Sequence, residues 1–397
     1  MSVPRSRWLI ALLIGFVMLT PVGVDIYLPS LPDMTHDFAH STSALQATIT
    51  LFLFTVGLGQ LLIGPLSDRF GRRPVALWGA AAFAIGALLG MVAPTLGYLY
   101  AARVLQGMGA CATSVVAFAA VRDSFTPTQG AKIYSYLNGA LCTIPALAPV
   151  IGGTLAIALG WRSTFAFMVA FAFGVLVCAY IRFGETRVQT TRHDGALYHW
   201  RRYAPMFRSL HFLYFAMIAL TGMALILIYV ATAPVVLVEQ LGYSELGFGG
   251  WFGANAIINI AAFLIAPRLI AQMGRFKTAQ LGLIILLMSG VMNMVAAQYL
   301  PLTAWAFMVP VAVLSIGFSF ALGAVVSLAL EPFPERAGTA AALIGVFQMS
   351  GGALLSTVMV NLPVTPQWAM ALVSLFLVLP LIILSGSLAR RYSVCAA

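Results

Sequence analysis

Charge is what this chain has least of. Asp, Glu, Lys and Arg make up 8% of its 397 residues, whereas an ordinary soluble chain carries about 25%. So few charges cannot clothe a water-soluble body of this length, and a soluble enzyme is excluded before any motif is read. Acids are the scarcest, 11 against 21 Lys and Arg, for a formal net charge of +10. The excess does not form a nucleic-acid-binding face, because the cations sit in short groups between apolar stretches rather than in one basic patch. Cysteine is sparse too: Cys111, Cys142, Cys178 and Cys395 are far apart, at no metal or haem spacing. The sequence also lacks a phosphate-binding glycine loop and any nucleophile–base pair at a recognisable spacing. No ATP-driven step, no catalytic residue, no metal and no cofactor are therefore expected.

What fills the chain instead is apolar sequence: 61% hydrophobic residues and a mean hydropathy of +0.98. A bilayer crossing takes about 20 apolar residues. Runs of that kind fall near 8–28, 44–66, 75–93, 98–120, 132–155 and 163–183, then near 210–234, 246–267, 278–297, 303–328, 338–361 and 368–388. Helix is the structure expected of them, since hydrocarbon offers no water to unpaired backbone groups. None shows the alternation of a membrane barrel strand. The first run, Trp8 to Tyr27, carries Asp25 and has no small-residue cleavage site, so it reads as a retained span rather than a signal peptide. The spacing thus predicts an all-α membrane protein with twelve transmembrane helices in two pseudo-symmetric bundles of six.

Placing the amino terminus inside puts 19 of the 21 Lys and Arg on the cytoplasmic side, with Arg162 outside and Arg103 within a span. This is the positive-inside pattern, so both termini are expected in the cytoplasm. The one long polar interior stretch, with Tyr198-His199-Trp200-Arg201-Arg202-Tyr203, suits a linker on the inner leaflet. The expected organisation is an amino-terminal bundle over 1–184, a cytoplasmic linker over 185–208, and a carboxy-terminal bundle over 209–397 with a short cytoplasmic tail.

The two halves repeat. The turn after the second span reads G-P-L-S-D-R-F-G-R-R-P over 64–74, and that after the eighth reads A-P-R-L-I-A-Q-M-G-R-F-K over 266–277. Aligning Gly71 with Gly274 sets Arg72 on Arg275 and Asp68 on Ala271. After span 4 comes Asp123-Ser124-Phe125, and after span 10 Glu331-Pro332-Phe333, each acid seven residues before a glycine, Gly130 and Gly338. Duplicated bundles with a path between them are a transporter architecture.

These motifs, with Asp25-Ile26-Tyr27-Leu28-Pro29, Arg103-Val104-Leu105-Gln106-Gly107 and Ala148-Pro149-Val150-Ile151-Gly152-Gly153, make the chain resemble the major facilitator superfamily over nearly its whole length. Within it the chain is similar to the drug:proton antiporters of the Bcr/CflA group. The 148–153 segment resembles their proline–glycine antiporter signature, with Ala148 where glycine usually stands. The resemblance implies alternating access, a central cavity between spans that include 1 and 4, and a cytoplasmic gate at the 64–74 turn.

Only Asp25 and Arg103 are ionisable and deep in apolar sequence, and such residues normally pair or line a wet cavity. Both fall in the outer part of their spans. Asp25 is expected to be the proton site, with Arg103 as its partner. In the turn, Gly64 is expected to allow a close helix approach and Gly71 a tight turn. Arg69 is one of the turn's cytoplasmic cations, and Arg72 is placed to meet Asp123. The resemblance directs Asp68 at the start of span 11, near Gly338. Pro145, Pro149, Gly152 and Gly153 break or thin span 5. Tyr27, Gln46, Gln106, Asn138, Tyr229, Asn255 and Gln348 are candidates for the substrate wall.

The expected function is proton-coupled multidrug efflux across a bacterial inner membrane. A single cavity acid beside an arginine favours small lipophilic neutral, zwitterionic or monocationic compounds, amphenicol-like in kind. The expected partners are the small-molecule substrate, protons and the bilayer, with no nucleic acid and a functional monomer. A metabolite, nucleoside or sugar exporter, or a proton symporter, of the same fold is the alternative.

Overall fold

The computed structural model describes residues 3–187, 203–333 and 337–394. The backbone groups into two compact units, Met1–His199 with Ser244–Gly253, and Trp200–Tyr243 with Ala254–Ala397. Most of the expected linker, and the motif 198–203 apart from Tyr203, lie outside the described residues.

In the first unit the helices are α1 (Val3–Asp25), α2 (Leu31–Phe38), α3 (Thr42–Phe70), α4 (Arg72–Met91), α5 (Leu96–Ser124), α6 (Pro127–Leu159) and α7 (Arg162–Arg182). The second has α8 (Ala204–Phe207), α9 (Leu210–Pro234), most of α10 (Glu245–Met273), α11 (Arg275–Tyr299), α12 (Ala304–Leu330), α13 (Ala337–Gly345), α14 (Gly352–Val360), α15 (Pro366–Val373) and α16 (Leu379–Val394). Among the described residues eleven helical stretches are long and apolar enough to cross a membrane, and Leu147–Leu159 of α6 adds a shorter one at the fifth expected span.

Local chemistry marks the helix ends. Ser41, Thr95, Thr126, Ser209, Thr303 and Thr365 each accept a backbone N–H from the first turn that follows. An N-cap hydroxyl of this sort satisfies one of the donors that a helix start leaves open. Gly71 and Gly274, at φ +103 and +86, turn the chain between α3 and α4 and between α10 and α11. That conformation suits glycine alone.

Two departures from regular winding matter below. The first expected span does not run straight: α1 stops at Asp25, Leu28–Ser30 forms one 3₁₀ turn, and α2 resumes at Leu31. Pro29 and Pro32 supply the cause, since proline removes a backbone donor and clashes with the preceding turn. In the second unit three segments wind more widely, as π-helix: Val235–Gln240, Val346–Gly351 and Ser374–Val378. The described residues of the first unit contain none.

Candidate functional site

The break in the first span brings the deep ionisable residues of the first unit together. Asp25 ends α1 and is 5% exposed, while Tyr27, Arg103 and Gln106 are fully buried. The Tyr27 hydroxyl is 2.9 Å from Thr48 Oγ1 on α3. From α5, Arg103 donates through Nη2 to the Gly23 carbonyl at 2.6 Å, through Nη1 to Gln106 Oε1 at 2.8 Å, and through Nε to the Thr48 carbonyl at 3.4 Å. Its guanidinium also lies 4.5 Å from the ring centre of Phe52 and 4.8 Å from that of Tyr27. Gln106 passes the chain on, donating to Met168 Sδ on α7 at 3.4 Å.

This arrangement corrects the expected pairing. Among the described ion pairs none joins Arg103 to Asp25. The reason is the broken helix. Carbonyls in the last turn of α1 lack intrahelical donors, and a cation is favoured at that negative end. Arg103 therefore takes the main-chain oxygen of Gly23, with the aromatic faces of Tyr27 and Phe52 on its flanks.

The substrate-wall candidates separate by unit. Gln46, buried, joins Tyr27 and Gln106 in the first. In the second, buried Asn255 accepts from Ser315 Oγ at 3.1 Å, Tyr229 packs near Phe307, and half-buried Gln348 sits in the π segment Val346–Gly351. The side chain of Asn138 lies outside the described residues.

The 64–74 turn carries the densest set of charged contacts. Arg72, 2% exposed, bonds Asp68 at 2.6 Å, Ser67 Oγ at 2.8 Å and Asp123 at 2.9 Å. Arg69 lies over the Phe70 ring, and its carbonyl accepts from Arg187 Nη1 at 2.7 Å. Gly64 does not make the close approach expected of it: a side chain there would meet open space. The α4–α5 crossing uses Gly79 and Gly109 instead; a Cβ on Gly79 would lie 2.7 Å from that of Ala112, and one on Gly109 would run into Phe83. Gly338, toward which Asp68 was directed, lies outside the described side chains.

Two residues missed in the sequence complete this turn. Glu185 receives the N–H groups of Arg72 at 2.8 Å and Arg73 at 3.2 Å, at the start of α4. Arg187 donates to the carbonyls of Asp68 and Arg69, at the end of α3. An anion at a helix start and a cation at a helix end both match the dipole. Partial burial pushes the Glu185 carboxyl up, but the N–H groups of Arg187, Arg72 and Arg73 and the Arg187 charge outweigh it, so it lies below the usual range. The available signal was an acid and a base two apart, directly after an apolar run.

Pro145 and Pro149 lie inside α6, which stays helical through both. Beyond them Gly152 faces the backbone of Ile26, and Gly153 faces Glu245. At the far end of the unit, Asp37 accepts from Trp161 Nε1 at 2.7 Å and Arg162 at 2.8 Å, which ties α2 to the start of α7. The described residues hold no His, Cys, Asp and Glu cluster suited to a metal ion.

Comparison with known proteins supplies the rest. A family profile described as the Major Facilitator Superfamily matches residues 12–356. A chloramphenicol resistance protein of Pseudomonas aeruginosa is 31% identical over 350 residues, covering 88% of this chain and 82% of its own. The multidrug resistance protein MdtL of Shewanella oneidensis is 31% identical over 355 residues, covering 87% and 86%. Among solved structures, a D-xylose-proton symporter superposes with a TM-score of 0.75 at 17% identity, covering 94% of this chain and 96% of that one. The human organic anion transporter MFSD10 superposes at 0.69 and 16%, covering 97% and 100%.

Proposed function

Because the chain belongs to the Major Facilitator Superfamily, we propose that it exports small lipophilic drugs in exchange for protons. It is a multi-pass membrane transporter and not an enzyme. The drug reading is supported by relatives at 31% identity named for multidrug and chloramphenicol resistance. It favours amphenicol-like neutral, zwitterionic or monocationic cargo. The likeness to a sugar–proton symporter, at 17% identity, bears on the fold alone and gives the exporter or symporter alternative no weight.

One observation carries the proton-coupled half of the proposal: Asp25 is buried at a break in the first membrane helix. A carboxylate at the bilayer centre costs on the order of 2.5–3.5 kcal/mol on insertion scales, and burial within the protein penalises the charged form of Asp25 in the same sense. Protonation removes that cost, and substrate bound beside the acid changes it, so proton and drug compete through one group. Arg103 is the positioning cation, fixing the end of α1 and the ring of Tyr27. Tyr27, Gln46, Gln106, Asn138, Tyr229, Asn255 and Gln348 form the substrate wall. Gly64, Asp68, Arg69, Gly71, Arg72 and Asp123 form the cytoplasmic gate, and Pro145, Pro149, Gly152 and Gly153 the antiporter segment.

The bacterial relatives support an inner-membrane setting, and the distribution of Lys and Arg supports both termini in the cytoplasm. The working unit is a monomer with bundles at 1–184 and 209–397 joined by the 185–208 linker. No cofactor enters the cycle; the proton gradient drives it. Efflux of chloramphenicol from proteoliposomes under an imposed pH gradient tests the reading. Asp25→Asn should abolish gradient-driven transport and leave the protein folded. Full transport by that variant would overturn the proton role.

A further inference from the structure

The Ile26 carbonyl is left without a local donor. Residue 29, three positions on, is proline and has no N–H. The N–H of Ser30, four positions on, goes to Tyr27 O at 3.0 Å. What faces the Ile26 carbonyl is Gly152 of α6. A side chain at that glycine would occupy the place of the Ile26 oxygen and stand 2.7 Å from the carbonyl carbon. No residue but glycine fits there without moving the backbone of the break. A bare Cα–H against a main-chain oxygen is also the weak donor that helix crossings commonly supply.

Movement at Ile26 has one free direction. On its far side Tyr27 is held at both ends, its ring against Arg103 and its hydroxyl against Thr48. On the near side stands Asp25, with no described hydrogen bond or ion pair to fix its carboxyl. Pressure on the Ile26 peptide therefore turns the acid rather than the tyrosine. We propose that Gly152 is a positioning residue for Asp25: by admitting the Ile26 carbonyl against its bare Cα, it holds the break in the geometry from which the Asp25 carboxyl exchanges its proton. The inference rests on the reading of Asp25 as the proton site, and it gives this glycine of the antiporter segment a specific task.

The charged and titratable groups around the break are few. Tyr27 lies on the same segment and Arg103 on α5; α3 presents Thr48 and Phe52, and α7 presents Phe165 and Met168. The α6 sequence from Pro145 to Leu159 has no ionisable residue. Two further acids belong to the neighbouring elements: Glu245 of α10, set against Gly153 rather than Gly152, and Asp33 of α2, whose side chain bonds that of Glu245.

A glycine with room around it gives the experiment its control. Gly152→Ala and Gly174→Ala make the same chemical change in the first unit, but a side chain at Gly174 of α7 meets open space, and only the first pushes on Ile26. Chloramphenicol transport is read in proteoliposomes across a series of imposed pH values, with drug binding to the purified protein as the check on folding. Gly152→Ala should displace the midpoint of the pH–rate profile by about one unit, or cut coupled transport at least about tenfold, with binding within about twofold of wild type. Gly174→Ala should keep the wild-type midpoint. If Gly152→Ala does not fold, Pro29→Ala serves: it restores an N–H that draws the Ile26 carbonyl off Gly152 without adding bulk, and it should displace the same midpoint. A wild-type profile in whichever of the two folds overturns the inference. Asp25→Asn run alongside separates the failures. If it keeps full gradient-driven transport, the proton reading falls and this inference with it. If it abolishes coupling while Gly152→Ala matches wild type, the inference alone falls.

Discussion

The α4–α5 pair of the first unit and the α11–α12 pair of the second are one packing solution used twice, with different contents. Gly79 stands eight residues after Gly71, and Gly282 eight after Gly274. Gly109 stands fourteen residues before Asp123, and Gly317 fourteen before Glu331. In both units these glycines let one backbone press on the other, Gly79 on the Gly109 carbonyl and Gly317 on the Gly282 carbonyl. In both, the arginine after the turn reaches the acid at the end of the partner helix, Arg72 to Asp123 and Arg275 to Glu331. The frame is shared; the charge is not. Counting back from the acid, the places of Arg103 and Gln106 are taken in the second unit by Val311 and Leu314. Ala271 stands for Asp68. Duplication has kept the scaffold in both halves and, among the described residues, concentrated the buried charge in one.

The contrast between the two arginines can be broken by experiment. Arg72 is 2% exposed and holds two acids, so Arg72→Ala takes the closest partner from both and leaves the largely buried Asp123 side chain only the exposed Arg122 at 3.4 Å. Breaking a buried pair by removing one partner costs about 3–5 kcal/mol. The purified variant should therefore melt well below wild type in detergent. Arg275 and Glu331 are 3.3 Å apart and nearly half exposed. An exposed pair of this kind contributes about 0–1 kcal/mol, so Arg275→Ala should change the melting temperature little. Equal losses in the two variants would mean that burial does not separate the two turns.

Glu185 sharpens the comparison further, since the second unit offers no described counterpart to it. Its folded carboxyl titrates below the ordinary value of 4.5. Its contribution is therefore present above that value and fades as pH falls through the lower folded value. The group is largely exposed, so solvent screens the effect. Glu185→Gln should flatten the acid limb of the stability–pH curve slightly and leave neutral stability almost unchanged. An acid limb identical to wild type would remove the role given to those three N–H groups.

Much of the fold was legible because membrane helices need long apolar runs and the chain separates them with glycine, proline and cations. The repeat was legible because Gly71 and Gly274 must adopt a conformation that only glycine tolerates easily. The break after Asp25 was harder to read. The apolar run carries on through it, and Pro29 and Pro32 alone do not say on which residue a helix stops. The partners of Arg103 were hidden for another reason. Two of the three oxygens it binds are main-chain carbonyls, which every residue has and no letter of the sequence marks. A search for a matching acid found Asp25, while the helix end supplied the negative charge instead. Glu185 and Arg187 escaped because their partners are likewise backbone groups, more than a hundred positions away.

The three widely wound segments of the second unit have a mechanical consequence. A π turn stores one residue more than an α turn over the same rise. Were one to relax to ordinary winding, everything beyond it would rotate by about 100° and advance about 1.5 Å. Gln348 lies within such a segment, so a small ratchet of the coil would swing its amide to a new face without bending the helix. The half that is poor in buried ions is thus the half with slack in its thread.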